Sequence, residues 1–571
     1  MSERIGIVLS GSTTTLVKAQ PLEDSGSRVR EGMFVIIKTK DRRELLGRVV
    51  SIVHYHEFFE EGDIWSEARQ KGEDIPLNVA RRYTTVHIEL LGELKGGSIF
   101  SISQPPFPGD PIYPLSQQDI EKIYGQGSEE LLREFNFKPT ATPFGTIYGY
   151  EDLPAVLNIN NITMHMAILG ITGSGKSNTT GYLLEQLSRL NSSVYPAVPV
   201  IIIDANGDYI DYTLPENRKE VKSYSMIKRF VFPKSSAVIR HEENIDILTI
   251  DLNVFNEREL SELVIAYYKR GNLEGAEQQV SLLHNVLASR EFHEYAKEKG
   301  AEYAGSQAGI DFNSVFSDNL VSKYLDEDSE LKKVYHSATI GAVKRALSVF
   351  HEDIVKSSCI IPYDYSGATL NVDLIDEMTK PRSPGMVIID FSSDGATGIY
   401  PEVKQFVVYY ILKLLYNKFV EYKTRIDQKE RLLLFVIEEA QNYAPNKSKY
   451  PVGFSVAKDI LATIATQGRK FGLSLCLVTQ RPSFVDPIVM SMVNTFIIHR
   501  VSPEDVKFVE TVTGGLPPFI SKKLTLLERG LAVLAGQMNR FGFPLLVKIP
   551  ARRVEHSIGR VRIFEEGDEN A

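Results

Sequence analysis

The octapeptide GITGSGKS, Gly170–Ser177, constrains this chain more than any other stretch. It fits the pattern GxxxxGK[ST], with the apolar run AILG leading into it and the helical pattern GKSNTTGYLLEQLSRL leading out. A glycine-rich loop between a strand and a helix lets backbone N–H groups converge on phosphate oxygens, and the helix N-terminus adds positive potential. The pattern predicts a nucleotide cradle made by Gly170, Thr172, Gly173, Ser174, Gly175, Lys176, Ser177 and Asn178. In it Lys176 reaches the β and γ phosphates of ATP and Ser177 binds Mg²⁺.

A loop of this kind needs acids on a neighbouring strand, and LLLFVIEEAQNYAP (432–445) supplies them. The apolar run is a buried strand that ends on two adjacent carboxylates. Glu438 is the expected partner of the Mg²⁺ shell, and Glu439 the group that orients or deprotonates an attacking water. A solvated strand end is the plainer alternative. Strand LSLCLVTQ ends in Gln480, placed to sense the γ phosphate or its water, unless it is only a turn residue. Arg469 and Lys470 precede that strand, on the sheet edge away from its own phosphates. An arginine there serves a neighbouring subunit's nucleotide in a ring, or is simply a surface cation. Asp204 and Asp208, in IIIDANGDY, either edge the nucleotide or form an Asx turn.

The wider chain reads as three zones. Short β-branched strands over 1–110 suggest a small β-barrel, and 111–152 reads as a connector with a short charged helix. Buried runs alternating with helices over 153–212 and 381–514 predict an α/β core with a mainly parallel sheet. A helical insertion is expected at 213–380, and short strands with an acidic, mobile tail over 515–571. A length of 571 residues accommodates these several domains. The longest apolar stretch, FVVYYILKLLYNKFV, is broken by Lys413 and Lys418 and is too short to span a membrane. The start, MSERIGIVLSGS, lacks the pattern of a signal peptide, and two distant cysteines, Cys359 and Cys476, suit a reducing cytoplasm.

Net charge is −9, which weakly opposes a nucleic-acid partner, but affinity for phosphates needs only a local basic surface. Such a surface exists: residues 440–482 carry six basic side chains against one acid, Asp459. Lys447, Lys449 and Tyr450, directly after the acidic strand, are the candidates for gripping a DNA backbone. A solvated loop is the competing reading.

In order and spacing, GITGSGKS, IIIDANGDY, VIEEAQNYAP, GRKFGLSLCLVTQRP and NTFIIHR resemble the HerA family of the HerA–FtsK P-loop ATPases. The resemblance covers most of the chain. It implies a RecA-like core, an N-terminal β-barrel and a homo-hexameric ring that moves duplex DNA using ATP and Mg²⁺. A separate nuclease or NAD-consuming effector subunit would serve DNA end processing or anti-phage defence, and no nuclease constellation stands in this sequence. The family roles fall on Lys176 and Ser177, on the acidic pair, on Arg469 as a trans finger and on Gln480 as phosphate sensor. Two positions depart from the pattern. Glu438 stands where aspartate is frequent, which favours ligation through water, and Gln441 stands where histidine is frequent, which leaves its role open.

Overall fold

A computed structural model describes residues 3–555, apart from 24–27, 63–64, 76–80, 96–97, 117–118, 120–140, 151–152, 191, 193, 236–244, 302–308, 328–330, 362–367, 426–428 and 451–454. The expected acidic tail and the charged helix of the connector lie outside the described residues. The chain divides into two compact units, residues 1–138 with 145–155 and 539–548, and residues 139–144 with 156–538 and 549–571.

The first unit is a barrel. Its strands are β1 (Gly6–Val8), β2 (Leu16–Pro21), β3 (Phe34–Lys38), β4 (Glu44–His56), β5 (Arg82–Lys95), β6 (Ser98–Phe100) and β7 (Pro111–Pro114). The order β2-β1-β7-β3-β4-β5 closes on itself through β2–β5 pairing, and β6 extends from β5. All these pairings are antiparallel. Alternate residues such as Val17, Val35, Ile37, Val49, Val86 and Ile88 fill the interior. Closure removes the exposed edges of an all-β unit. Because β7 completes the ring, the barrel runs beyond the boundary expected at residue 110.

β8 (Ala141–Ile147) and β9 (Pro154–Asn158) follow, and the second unit then builds one large sheet. Its strands are β10 (Met166–Leu169), β11 (Val200–Asp204), β12 (Met226–Val231), β13 (Ile245–Ile247), β14 (Gly385–Asp390), β15 (Leu433–Ile437), β16 (Leu473–Thr479), β17 (Thr495–Ile498) and β18 (Leu531–Gly536). The order is β13-β12-β14-β11-β15-β16-β10-β17-β18, parallel except for β18. A last strand, β19 (Leu545–Lys548), pairs with β8 in the first unit. β11, β14, β15 and β16 are buried at every position, which explains their uninterrupted apolar sequences.

Residues 213–380 are not wholly helical, because β12 and β13 belong to the core sheet. The helical part follows them. It includes Glu257–Tyr268, opened by an Asn256/Glu259 capping box, and Ser337–Phe350, which continues into a π-helix over His351–Ser357. The apolar stretch around 406–420 lies in helix Pro401–Thr424. Its interrupting lysines are paired, Lys413 with Glu259 and Lys418 with Asp376 and Glu421. No helix among the described residues is long and apolar enough to cross a membrane.

Candidate functional site

The phosphate loop leaves the carboxyl end of β10 and enters helix α1 (Lys176–Leu187). Gly170, Gly173 and Gly175 all have positive φ, at 155°, 75° and 112°. A Cβ on Gly170 would come within 2.7 Å of both the His499 Cβ and the Ser174 Oγ, so this turn admits only glycine. The Ser174 hydroxyl donates to the Ile171 carbonyl at 2.7 Å, and the Lys176 ammonium reaches the same oxygen at 3.1 Å. His499 backs the loop. Its Nδ1 lies 3.1 Å from the Leu531 carbonyl and its Nε2 2.9 Å from the Thr179 hydroxyl, an arrangement that suits a neutral ring. Burial lowers its pKa to about 4.

A cavity of about 810 Å³ opens over the loop. Thr172, Lys176 and Ser177 of the loop line it together with Glu438, Glu439, Asp208 and Gln480. The strand order explains the meeting, since β15 and β10 flank β16 and all three end on one sheet edge. Burial pulls Lys176 below the usual lysine range, opposed by the charges of Glu439, Glu438 and Asp208. Burial also raises Glu438 well above the usual carboxylate range, reinforced by Asp204 and Asp208. Such crowding of carboxylates is what a divalent cation relieves. Among the described residues no three acidic, imidazole or thiol groups converge into a protein-only metal site.

The two glutamates are held differently. Glu438 is 3% exposed; its Oε1 accepts from the Tyr209 hydroxyl at 2.7 Å and its Oε2 from the Ala205 N–H at 3.3 Å. Both of its oxygens are thus engaged within the chain. Glu439 takes a left-handed backbone conformation, φ 50° and ψ 47°, which is uncommon outside glycine and asparagine. Its Oε1 accepts from the Gln480 Nε2 at 2.8 Å and its Oε2 from the Gln441 Nε2 at 2.5 Å. The Gln480 amide oxygen in turn accepts from the Thr172 hydroxyl, so the phosphate loop is tied to Glu439 through Gln480.

Asp204 resolves as a turn-forming residue. Its carboxylate accepts the N–H groups of Asn206, Gly207, Asp208 and Tyr209 at 2.7–3.3 Å, and burial together with nearby Asp390 pushes its pKa up to about 7. Asp208 reaches the cavity wall. Asn178, expected to touch nucleotide, lines the cavity, and its side chain also reaches a distant segment. Its amide donates to the Pro550 carbonyl at 2.9 Å and accepts from the Arg552 N–H at 2.9 Å.

That contact exposes what sequence reasoning missed. Residues 550–555 cross α1, and Arg552, Val554 and Glu555 line the cavity together with Arg529. Glu185, fully buried on α1, accepts the N–H groups of Arg553 and Val554 at 2.8 and 3.0 Å. The Arg552 guanidinium donates to the Asp208 carbonyl at 2.7 Å. A Cβ on Gly181 would lie 2.6 Å from the Arg552 Cδ. That glycine is the one available signal: an interior helical glycine costs about 1 kcal/mol and so hints at a close approach.

Arg469 is not brought to this cavity. It sits exposed in the turn Gly468–Phe471 at the amino end of β16. Nearby His165, 3% exposed, accepts the Leu475 N–H on Nδ1 at 3.0 Å, and burial lowers its pKa to about 4. Lys447 and Lys449 are exposed. Tyr450 is half-buried, with its hydroxyl 3.1 Å from the Asn442 Oδ1 and its ring tilted against Phe484 at 5.4 Å. The loop carrying these residues is fastened to the segment after Gln480. Asn446 N–H donates to the Phe484 carbonyl at 2.7 Å, and Asp486 N–H donates to the Ala444 carbonyl at 2.7 Å.

Residues 142–415 match the family model "Helicase HerA, central domain". The chain is 26% identical to the DNA double-strand break repair helicase HerA of Sulfurisphaera tokodaii, over 95% of this chain and 92% of that protein. It is 25% identical to a probable helicase of Methanocaldococcus jannaschii, over 89% of this chain and 84% of that one. Among solved structures, VirB4 of Thermoanaerobacter pseudethanolicus is 16% identical and covers 72% of this chain and 97% of its own, with a TM-score of 0.46.

Proposed function

We propose, starting from the fact that this chain belongs to the HerA family of P-loop ATPases, that it is a hexameric ring motor coupling ATP hydrolysis to movement along duplex DNA. The observation that carries this reading is the meeting of Lys176 with two differently held carboxylates across one cavity. Mg²⁺, bound with ATP, would neutralise charge on the β and γ phosphates. Ser177 and Glu438 would hold it, Glu438 through water. Lys176 binds the β and γ oxygens, Glu439 accepts the proton of the attacking water, and Gln480 answers to the γ phosphate.

Arg469, remote from its own cavity, would complete the site of the neighbouring subunit. A second cavity of about 560 Å³ is lined by Thr172, Gln480, Arg481 and Glu504 among others, and so shares Thr172 and Gln480 with the first. Lys447 and Lys449 would contact the DNA backbone. Their loop is fastened to the segment after Gln480, a short covalent and hydrogen-bonded path from hydrolysis to grip.

A partner role for the barrel unit is supported by the distal arms of β4 and β5. There Tyr55 packs on Tyr83 at 4.7 Å in a tilted pair and Val53 is about half exposed, and in the segment after β4 Phe58 packs on Trp65 at 5.2 Å while Phe59 is about half exposed. Exposed aromatic surface suits a separate nuclease or NAD-consuming effector subunit.

The test is the ATPase rate with and without duplex DNA, on protein whose mass in solution is measured. Stimulation by DNA in a hexamer is expected, and Lys447→Ala with Lys449→Ala should remove the stimulation while leaving the basal rate. A rate indifferent to DNA would favour the second reading, an ATP-regulated scaffold that assembles and activates an effector. A monomer under all conditions would sink both.

A further inference from the structure

The geometry points to Gln441 as a positioning residue that fixes the catalytic carboxylate of Glu439, with Gln480 as the exchangeable arm of the same clamp. The direction of every bond in the fixed arm is set by its neighbours. The Arg481 N–H donates to the Thr479 Oγ1 at 3.1 Å, so the Thr479 O–H is left to donate to the Gln441 Oε1 at 2.7 Å. With its carbonyl end engaged, the Gln441 amide presents only N–H to Glu439, at 2.5 Å. Thr479 is 0% exposed and Gln441 7%, so water does not compete for these bonds.

The other arm is built differently. Gln480 and Thr172 line the cavity itself. Their hydrogen bond lies where a γ phosphate would arrive, so an incoming phosphate oxygen can take over the Gln480 amide or the Thr172 hydroxyl. Losing that arm leaves Glu439 held by Gln441 alone, with its Oε1 free to accept from a water. The buried arm therefore keeps the carboxylate aimed while the cavity-facing arm is exchanged.

The backbone of Glu439 explains why a clamp is needed. A non-glycine residue in the left-handed region costs on the order of 1–3 kcal/mol and persists only where its surroundings hold it. Its Oε1 is held by Gln480 from the neighbouring strand, and its Oε2 by Gln441, two residues on, which Thr479 of that same neighbouring strand fixes in place.

This inference rests on the ATPase reading, and its test requires an enzyme that turns over. Gln441→Leu removes the N–H donor at similar volume. It should lower kcat about 100-fold, as a carboxylate displaced by about 1 Å would, with KM for ATP within about twofold. Gln441→His, which can still donate through a ring N–H, should restore kcat to within about tenfold of wild type. Thr479→Val, which frees the amide to rotate, should cost about tenfold in kcat with KM unchanged. An unaltered kcat in Gln441→Leu overturns the assignment. So does a histidine variant as slow as the leucine variant, or a matching rise in KM, which would mean packing alone. If Gln441→Leu fails to give an ATP-dependent rise in Tm, Thr479→Val decides by itself. A dead wild-type enzyme would instead sink the ATPase site, a different failure from these.

Discussion

The two ends of β16 are built in opposite ways. At its carboxyl end Gln480 joins a continuous hydrogen-bonded network running from Thr172 through Glu439 and Gln441 to Thr479. At its amino end, about 23 Å away for a seven-residue strand, Arg469 is exposed, and among the described residues its guanidinium makes no hydrogen bond or ion pair. At one end the hydrogen bonds close within the chain, and at the other a charge is left open. A group that is satisfied locally works in place; a charge left exposed at a sheet edge is available to a second copy of the chain.

The largest expected effect tests the closed end. Lys176→Ala should lower ATP hydrolysis by at least about 10³-fold, because it removes the cation facing both glutamates; normal turnover in a coupled phosphate-release assay would refute the site. Arg469→Ala tests the open end, with an expected loss of about 10³-fold in hydrolysis while assembly and ATP binding persist. Mixing Arg469→Ala with Glu439→Ala subunits should restore part of the rate, since each supplies what the other lacks. If no mixing ratio recovers activity, the two ends are not joined between subunits.

Smaller effects sharpen the contrast. Arg552→Ala should raise KM for ATP about tenfold with little change in kcat, because Arg552 lines the cavity without touching either glutamate; a fall in kcat alone would place it with the reacting groups instead. The last prediction involves both ends at once. His165 and His499 are buried with pKa values near 4, below the ordinary 6.5. The unfolded chain thus binds more protons between these values, so the stabilisation is complete above pH 6.5 and is lost as pH falls toward 4. Each ring contributes at most about 3 kcal/mol. The Tm should drop across that window, and His499→Gln should flatten the drop; an unchanged slope would mean that other groups set it.

Much of the closed end was legible because its signals are local. GITGSGKS lies between its own strand and helix, and the acidic pair ends a run whose burial is evident from its composition. The parallel core followed from the same runs. What was not legible depends on distant residues. Nothing near Glu439 in sequence announces a left-handed backbone, and the Gln441 amide takes its meaning from Thr479, which is on another strand. Asn178 lines the cavity as well, but its hydrogen bonds to Pro550 and Arg552 are set by segments far along the chain. The barrel ran past residue 110 because β7, a short Pro-flanked segment, reads as connector until its pairing with β1 and β3 is seen. Tyr450 offered an aromatic ring to DNA on paper, but Phe484 and Asn442 already hold it.

The crossing of α1 by residues 550–555 has a consequence for biosynthesis. Asn178 and Pro550 stand 372 positions apart. A growing chain that has made its phosphate loop therefore lacks Arg552, Val554 and Glu555 of the cavity lining until more than 370 further residues have been synthesised. ATP in the cell cannot stabilise early folding intermediates through the finished site, because ligand stabilises only the state that binds it. Nucleotide binding would instead favour chains in which the far segment has docked. Glycine at position 181 is what leaves that docking groove open.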